Sequence, residues 1–122
     1  MKIRPEQMSA LGADRLEMLV DHAGHMLLEL YPEVAYRKTP DEQRGLVKKL
    51  IGEAVEWGLA SEEGALRYIQ YRMEFGEGMV NLPKWAWVRE ILGDKKLTEA
   101  DKIARIEHLA YGAPKPDNWT PT

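Results

Sequence analysis

"TPDEQRGLVKKLIGEAVEWGLASEEGALRYIQYRMEFG", residues 39–76, decides the fold class. Thr39 offers a side-chain oxygen to the unpaired amides of a first helical turn. Pro40 suits the first helical position, and Glu42 stands where it closes a capping box. Leu46, Leu50, Ala54 and Trp57 then recur at three- and four-residue steps, with Val47, Ile51 and Val55 beside them. That spacing predicts a helix with one apolar face. Gly58 is the residue type that takes the left-handed conformation closing such a helix. Ser61 then caps a second helix, with Glu62 and Glu63 at the positive end of its dipole. Leu66, Ile69 and Met73 form its predicted inner stripe, with Tyr68, Tyr71 and Phe75 around it, until Gly76 and Gly78 break the run.

The same signals extend outward in both directions. Upstream, Pro5 opens a segment in which Met8, Leu11, Leu16, Leu19, Ala23, Met26, Leu27 and Leu30 keep helical spacing. Pro32 disfavours helical geometry at Tyr31 and predicts the end of that helix there. Downstream, Pro83 to Leu92 reads as a short helix stopped by Gly93. "LTEAD" starts a last one, with Thr98 as cap, Asp101 three residues on, and Ile103, Ile106, Leu109 and Ala110 as its apolar positions. No stretch alternates apolar and polar residues as a half-buried strand would. The expectation is an all-α fold, a single compact bundle of about five helices over residues 1–112. A Pro-rich tail, residues 113–122, is expected to be extended or mobile.

Composition narrows the function classes. The chain has 122 residues, 44% hydrophobic and 30% charged, which suits one globular domain rather than a disordered segment. It has no cysteine, so disulfides, thiolate metal sites and cysteine nucleophiles are excluded. The net charge of -3 gives no electrostatic case for nucleic acid, which usually needs a concentrated basic face. No apolar run approaches a membrane span, and the N-terminus turns polar before a signal-peptide core develops, so the expected compartment is the cytoplasm.

Chemistry-bearing residues are sparse. "DHAGH" puts His22 and His25 three apart, and Glu17, Asp21, His25 and Glu29 fall on one four-residue ladder. Zinc or iron would need a completing cluster, and none follows. The ladder therefore reads as a solvated face with a His–Glu pair, and no metal or cofactor is expected. Of Glu53, Glu56, Glu62 and Glu63, a helix end and a helix start account for three. With no serine in a nucleophile elbow and no phosphate loop, the sequence argues against an enzyme. "YRK" at residues 36–38 with Arg44, Lys48 and Lys49 makes a local basic patch that Asp41 and Glu42 interrupt, and Lys95 and Lys96 make another; both read as solvated faces. Arg72, within "YIQYRMEF", reads as a snorkelling side chain.

Trp85 and Trp87 in "NLPKWAWVREILGD" stand out. On an α-helix, residues two apart point about 200° apart. The two rings would then bound one broad apolar arc holding Val88, Ile91 and Leu92, too wide for a short helix to hide. Trp85 is expected to be the more buried ring and Trp87 to face a partner. The candidate partner-binding residues are Trp87, Trp85, Ile91, Tyr71 and Tyr68.

Four segments together carry a family resemblance: "IRPEQM" at Ile3 to Met8, "LVKKLIGEAVEWGLASEEGALRYIQYRMEFG" at Leu46 to Gly76, "LPKWAWVREILGD" at Leu82 to Asp94, and "LTEADKIARI" at Leu97 to Ile106. In this order they resemble small helical bacterial proteins encoded near type VI secretion spike and effector genes. The resemblance implies a non-enzymatic accessory role: an adaptor or chaperone for a secretion effector or spike component, or an immunity protein that occludes a cognate toxin. It carries over no catalytic residue. A small metal-binding or enzymatic bundle is the third class, separable by metal analysis.

Overall fold

The computed structural model describes residues 13–116 and 119. Among them lie six helices and two short 3-10 turns, with no strand. The helices are α1 (Ala13–Leu30), α2 (Pro32–Tyr36), α3 (Pro40–Glu56), α4 (Glu62–Phe75), α5 (Ala86–Leu92) and α6 (Glu99–Tyr111). The 3-10 turns, Glu77–Val80 and Pro83–Trp85, join α4 to α5. The all-α bundle is as expected. Pro5, Met8 and Leu11, which open the first helix in the sequence, lie outside the described residues.

All three caps form. The Glu42 amide donates to Thr39 Oγ1 at 3.2 Å while the Thr39 amide donates to Glu42 Oε1 at 2.9 Å. Ser61 Oγ accepts from the Gly64 amide, and Thr98 and Asp101 repeat the reciprocal box. Pro32, which ends α1, also starts α2 as its first residue. Its fixed φ suits a first helical turn as well as it disrupts a preceding one. The extra helix is the consequence.

The α3–α4 hairpin is the centre of the molecule, with α1 laid against it and α5 and α6 closing the other side. Its turn is a Schellman motif: Gly58 has φ +86°, the Leu59 amide donates to the Ala54 carbonyl at 2.7 Å, and the Leu59 side chain is buried. The Trp57 carbonyl left over at the end of α3 accepts from Lys102 Nζ at 2.6 Å, which fastens α6 to that helix end. At the start of α4, Glu99 of α6 accepts from the Ser61 amide at 3.0 Å. A Cβ on Gly64 would fall 2.1 Å from the Glu99 carboxylate, so this contact requires glycine.

The core is Leu19, Val20, Ala23 and Leu27 from α1, Val47, Leu50, Ile51 and Ala54 from α3, and Ala65, Tyr68 and Ile69 from α4, closed by Met79, Val88, Leu92 and Ile106. Both hairpin helices are rotated from the stripes expected of them. Leu46 and Trp57 on α3, and Leu66 and Met73 on α4, are only partly buried. The buried stripe of α4 is Ala65, Tyr68, Ile69 and Arg72.

Arg72 lies on that buried stripe. It is buried and its Nε donates to Glu53 Oε1 at 2.9 Å; the Tyr68 hydroxyl donates to the same oxygen at 2.6 Å. Arg72 is therefore not a snorkelling side chain. It is one half of a buried ion pair facing Glu53 of α3. A buried charge demands a partner, and Glu53 supplies it. Burial, with Glu53 as the second cause, pushes the Tyr68 phenol well above its ordinary value.

Candidate functional site

The turn after α4 builds an aromatic end. Phe75 sits in the last turn of α4, and Gly76, at φ +79°, lets the chain leave the helix into the first 3-10 turn. The second 3-10 turn brings Trp85 back onto Phe75, with ring centroids 4.4 Å apart and planes 18° from parallel. Trp87 leans on both, 6.5 Å from Phe75 and 6.3 Å from Trp85. Tyr71 and Tyr111 also stack with Phe75, at 5.9 and 6.0 Å. Offset and tilted rings at these separations attract beyond their area burial.

This geometry corrects the expected placement of the tryptophans. They do not bound opposite edges of an α-helical arc; they lie side by side. Trp85 belongs to a 3-10 turn and has φ -105°, ψ 10°, so the rotation of 100° per residue does not begin until Ala86. Both rings are half-buried, as is Ile91. Tyr68 and Tyr71, expected to face a partner, are buried to within 1% of complete. The Tyr68 hydroxyl is taken up by Glu53 and that of Tyr71 by Glu107, at 2.7 Å, so neither tyrosine offers a surface. Arg67 donates to the same Glu107 oxygen at 2.5 Å.

The open rim of the aromatic end was not read from the sequence. Val80, Leu82 and Tyr111 are each between 42 and 49% exposed and belong to the segments that carry or contact the cluster. Nothing in their local spacing separates them from core residues. Arg89 of α5 fixes the loop beneath them: Nη1 donates to the Met79 carbonyl at 2.8 Å and Nη2 to the Leu82 carbonyl at 3.0 Å. Lys84 Nζ lies 5.4 Å from the centroid of the Trp85 ring, in cation–π range. The buried Trp85 Nε1 has no hydrogen-bond partner among the described residues. Beside the cluster, burial and then the Glu74 carboxylate push the Tyr31 phenol up to about 12.

The histidine ladder is used between helices. His22 Nδ1 lies 2.5 Å from Glu62 Oε1 of α4, and Arg44 of α3 holds Glu17 at 2.5 Å and Asp21 at 3.0 Å. The same contacts absorb part of the basic patch. No group of three or more His, Asp or Glu side chains is placed to hold a metal ion among the described residues. No helix among them is long and apolar enough to cross a membrane. In the tail, residues 113–116 have no regular structure. Trp119, however, packs its ring against His108 at 5.9 Å and beneath Arg105 at 5.0 Å, so this part of the tail lies along α6 rather than extending from it. Residues 117–118 and 120–122 are outside the described set.

Comparison with family models, curated proteins and solved structures finds no match to this chain.

Proposed function

We propose that the protein is a non-enzymatic binding module of the bacterial cytoplasm, an adaptor or chaperone that docks a type VI secretion effector or spike component through its aromatic end. The observation that carries the binding role is the cluster itself: four rings packed around Phe75, with both tryptophans half-buried and apolar neighbours open to solvent. Tryptophan and tyrosine lead the residue types that dominate binding energy at protein interfaces. The loop that presents them is already tied down by Arg89. The secretion assignment comes from the sequence resemblance alone.

The test titrates type VI secretion effector and spike proteins, one at a time, against the wild type and the Trp87→Ala variant. Truncating Trp87 should weaken the complex by at least about 2 kcal/mol, roughly thirtyfold, while costing little stability. An adaptor leaves the bound effector active, whereas an immunity protein abolishes its activity. Unchanged affinity in Trp87→Ala, with the fold intact, refutes docking at this end.

A further inference from the structure

A groove of about 340 Å³ opens between α2, α3 and the last turn of α4, lined by none of the five clustered rings. Its floor is apolar: Val34, Leu46, Leu50 and Met73. Its polar lining is Arg37, Lys38 and Arg72, with Glu77 as the one carboxylate. In a chain of net charge -3 this is a local reversal of sign. Arg37 and Lys38 have no ion-pair partner among the described residues. Gln43 fixes the short loop that carries them, its Nε2 donating to the Ala35 carbonyl at 2.7 Å and to the Lys38 carbonyl at 3.3 Å.

Arg72 sets the chemistry. It is 6% exposed and lines the groove while facing Glu53. A guanidinium has five N–H donors in a planar fork. Here Nε goes to Glu53 and Nη1 reaches the Gly76 carbonyl at 3.4 Å, while Nη2 has no partner among the described residues. A side chain more than nine-tenths buried thus keeps unused donors beside an apolar floor. A wholly apolar ligand would displace water from those donors and leave them unpaired, which is unfavourable. A bare inorganic anion would make no use of Leu46, Leu50 and Met73. A carboxylate fits the planar fork, and an aliphatic stem fits the floor. The volume is at the lower end of that of small-ligand pockets, roughly 300–1,000 Å³.

We infer that this groove binds an aliphatic carboxylate, with the carboxylate on Arg72 Nη2 and the stem on Leu46, Leu50 and Met73. Arg37 and Lys38 attract the charge, and Glu77 on the rim disfavours a second one. The same group could arrive as a free medium-chain fatty acid or as an acidic side chain flanked by leucine in a peptide. The site shares no lining residue with the five clustered rings and does not rest on the docking proposal.

The experiment is an NMR titration of the isotope-labelled full chain with octanoate, octanol and octylammonium in turn, and with the capped dipeptide N-acetyl-Leu-Glu-amide. Octanoate should shift the Leu46, Leu50 and Met73 methyl resonances and the Gly76 amide in a saturable way. Octanol should bind at least tenfold more weakly, and octylammonium should leave the groove unshifted. Saturable binding of octanoate but not the dipeptide assigns the free acid; binding of both assigns the acidic side chain. Replacing Arg72 disturbs its pair with Glu53, so the variant of choice is R37E/K38E, whose positions lie outside the core. It should lose at least tenfold in octanoate affinity and keep its octanol affinity. Equal binding of octanoate and octanol, shifts confined to other surfaces, or unchanged octanoate affinity in R37E/K38E would each overturn the inference.

Discussion

Replacing Arg72 by methionine removes the guanidinium and keeps most of the volume. Glu53, 8% exposed, is then left with the Tyr68 hydroxyl alone. Breaking a buried ion pair from one side costs about 3–5 kcal/mol, because the remaining charge is desolvated without its counter-ion. Glu53→Leu should cost a similar amount by orphaning Arg72 and Tyr68. Tyr68→Phe removes one hydrogen bond to a charged acceptor, about 1.5–3 kcal/mol. Acting independently, the three would remove on the order of 10 kcal/mol, comparable with the whole stability of a domain this size. They should not act independently. The triple variant Glu53→Leu/Tyr68→Phe/Arg72→Met removes all three members of this network, so none of them is left buried without its partner; it should fold and lie within about 1 kcal/mol of wild type, or above it. Urea melts followed by tryptophan fluorescence and circular dichroism give each value, with the denaturant slope checking that the unfolded state is unchanged. A cost below about 1 kcal/mol for Arg72→Met would refute the desolvation argument. An unfolded triple variant would show that the polar contacts stabilise the fold beyond what apolar packing replaces.

Other outcomes follow from local contacts. Thr39→Ala should cost about 1 kcal/mol in the same melts, the usual worth of an N-cap, because it removes the acceptor of the Glu42 amide. Gly64→Ala should destabilise despite the higher helix propensity of alanine, since the new methyl drives Glu99 off the start of α4; pairing it with Glu99→Ala should recover much of the loss. The phenols of Tyr31, Tyr68, Tyr71 and Tyr111 are all raised above 10.0, with burial the largest cause. Folding therefore holds their protons more tightly than the unfolded chain does. That stability is complete below pH 10 and is lost as pH rises through the folded-state values. Lys102, lowered by burial, contributes the opposite trend as pH climbs toward 10.5. Melting temperature against pH, with tyrosinate absorbance, should show a net fall on the alkaline side; a flat profile would count against the burial of these hydroxyls.

Signals confined to one turn of chain were legible in the sequence. Thr39 with Glu42, Ser61 with Gly64 and Thr98 with Asp101 lie three residues apart, and capping needs nothing more distant. Gly58 closes α3 for the same local reason. What depended on a neighbour was not legible. Arg72 and Glu53 lie nineteen residues apart on different helices, and only their packing distinguishes a buried pair from two solvated charges. The tryptophans were misplaced because helical rotation was counted from Pro83, whereas the α-helix starts at Ala86. In the binding site expected from the sequence, Trp85, Trp87 and Ile91 keep partial exposure, while Tyr68 and Tyr71 point inward. Periodicity shows which residues are apolar or aromatic on a helix. It does not fix which face of that helix the packing buries.

Arg89 bears on the timing of association. Two of its nitrogens hold carbonyls at both ends of the 79–82 stretch, so the loop's shape is set before any partner arrives. A presenting loop that had to rearrange into its binding shape at each encounter would lower the association rate. With the loop held from within, the encounter needs only the correct mutual orientation, and association belongs in the ordinary docking range of roughly 10⁵–10⁷ M⁻¹s⁻¹. Changes to Trp85 or Trp87 would then alter how long the complex lasts rather than how often it forms. Loosening Arg89 would do the reverse, slowing formation while leaving the contacting side chains chemically the same.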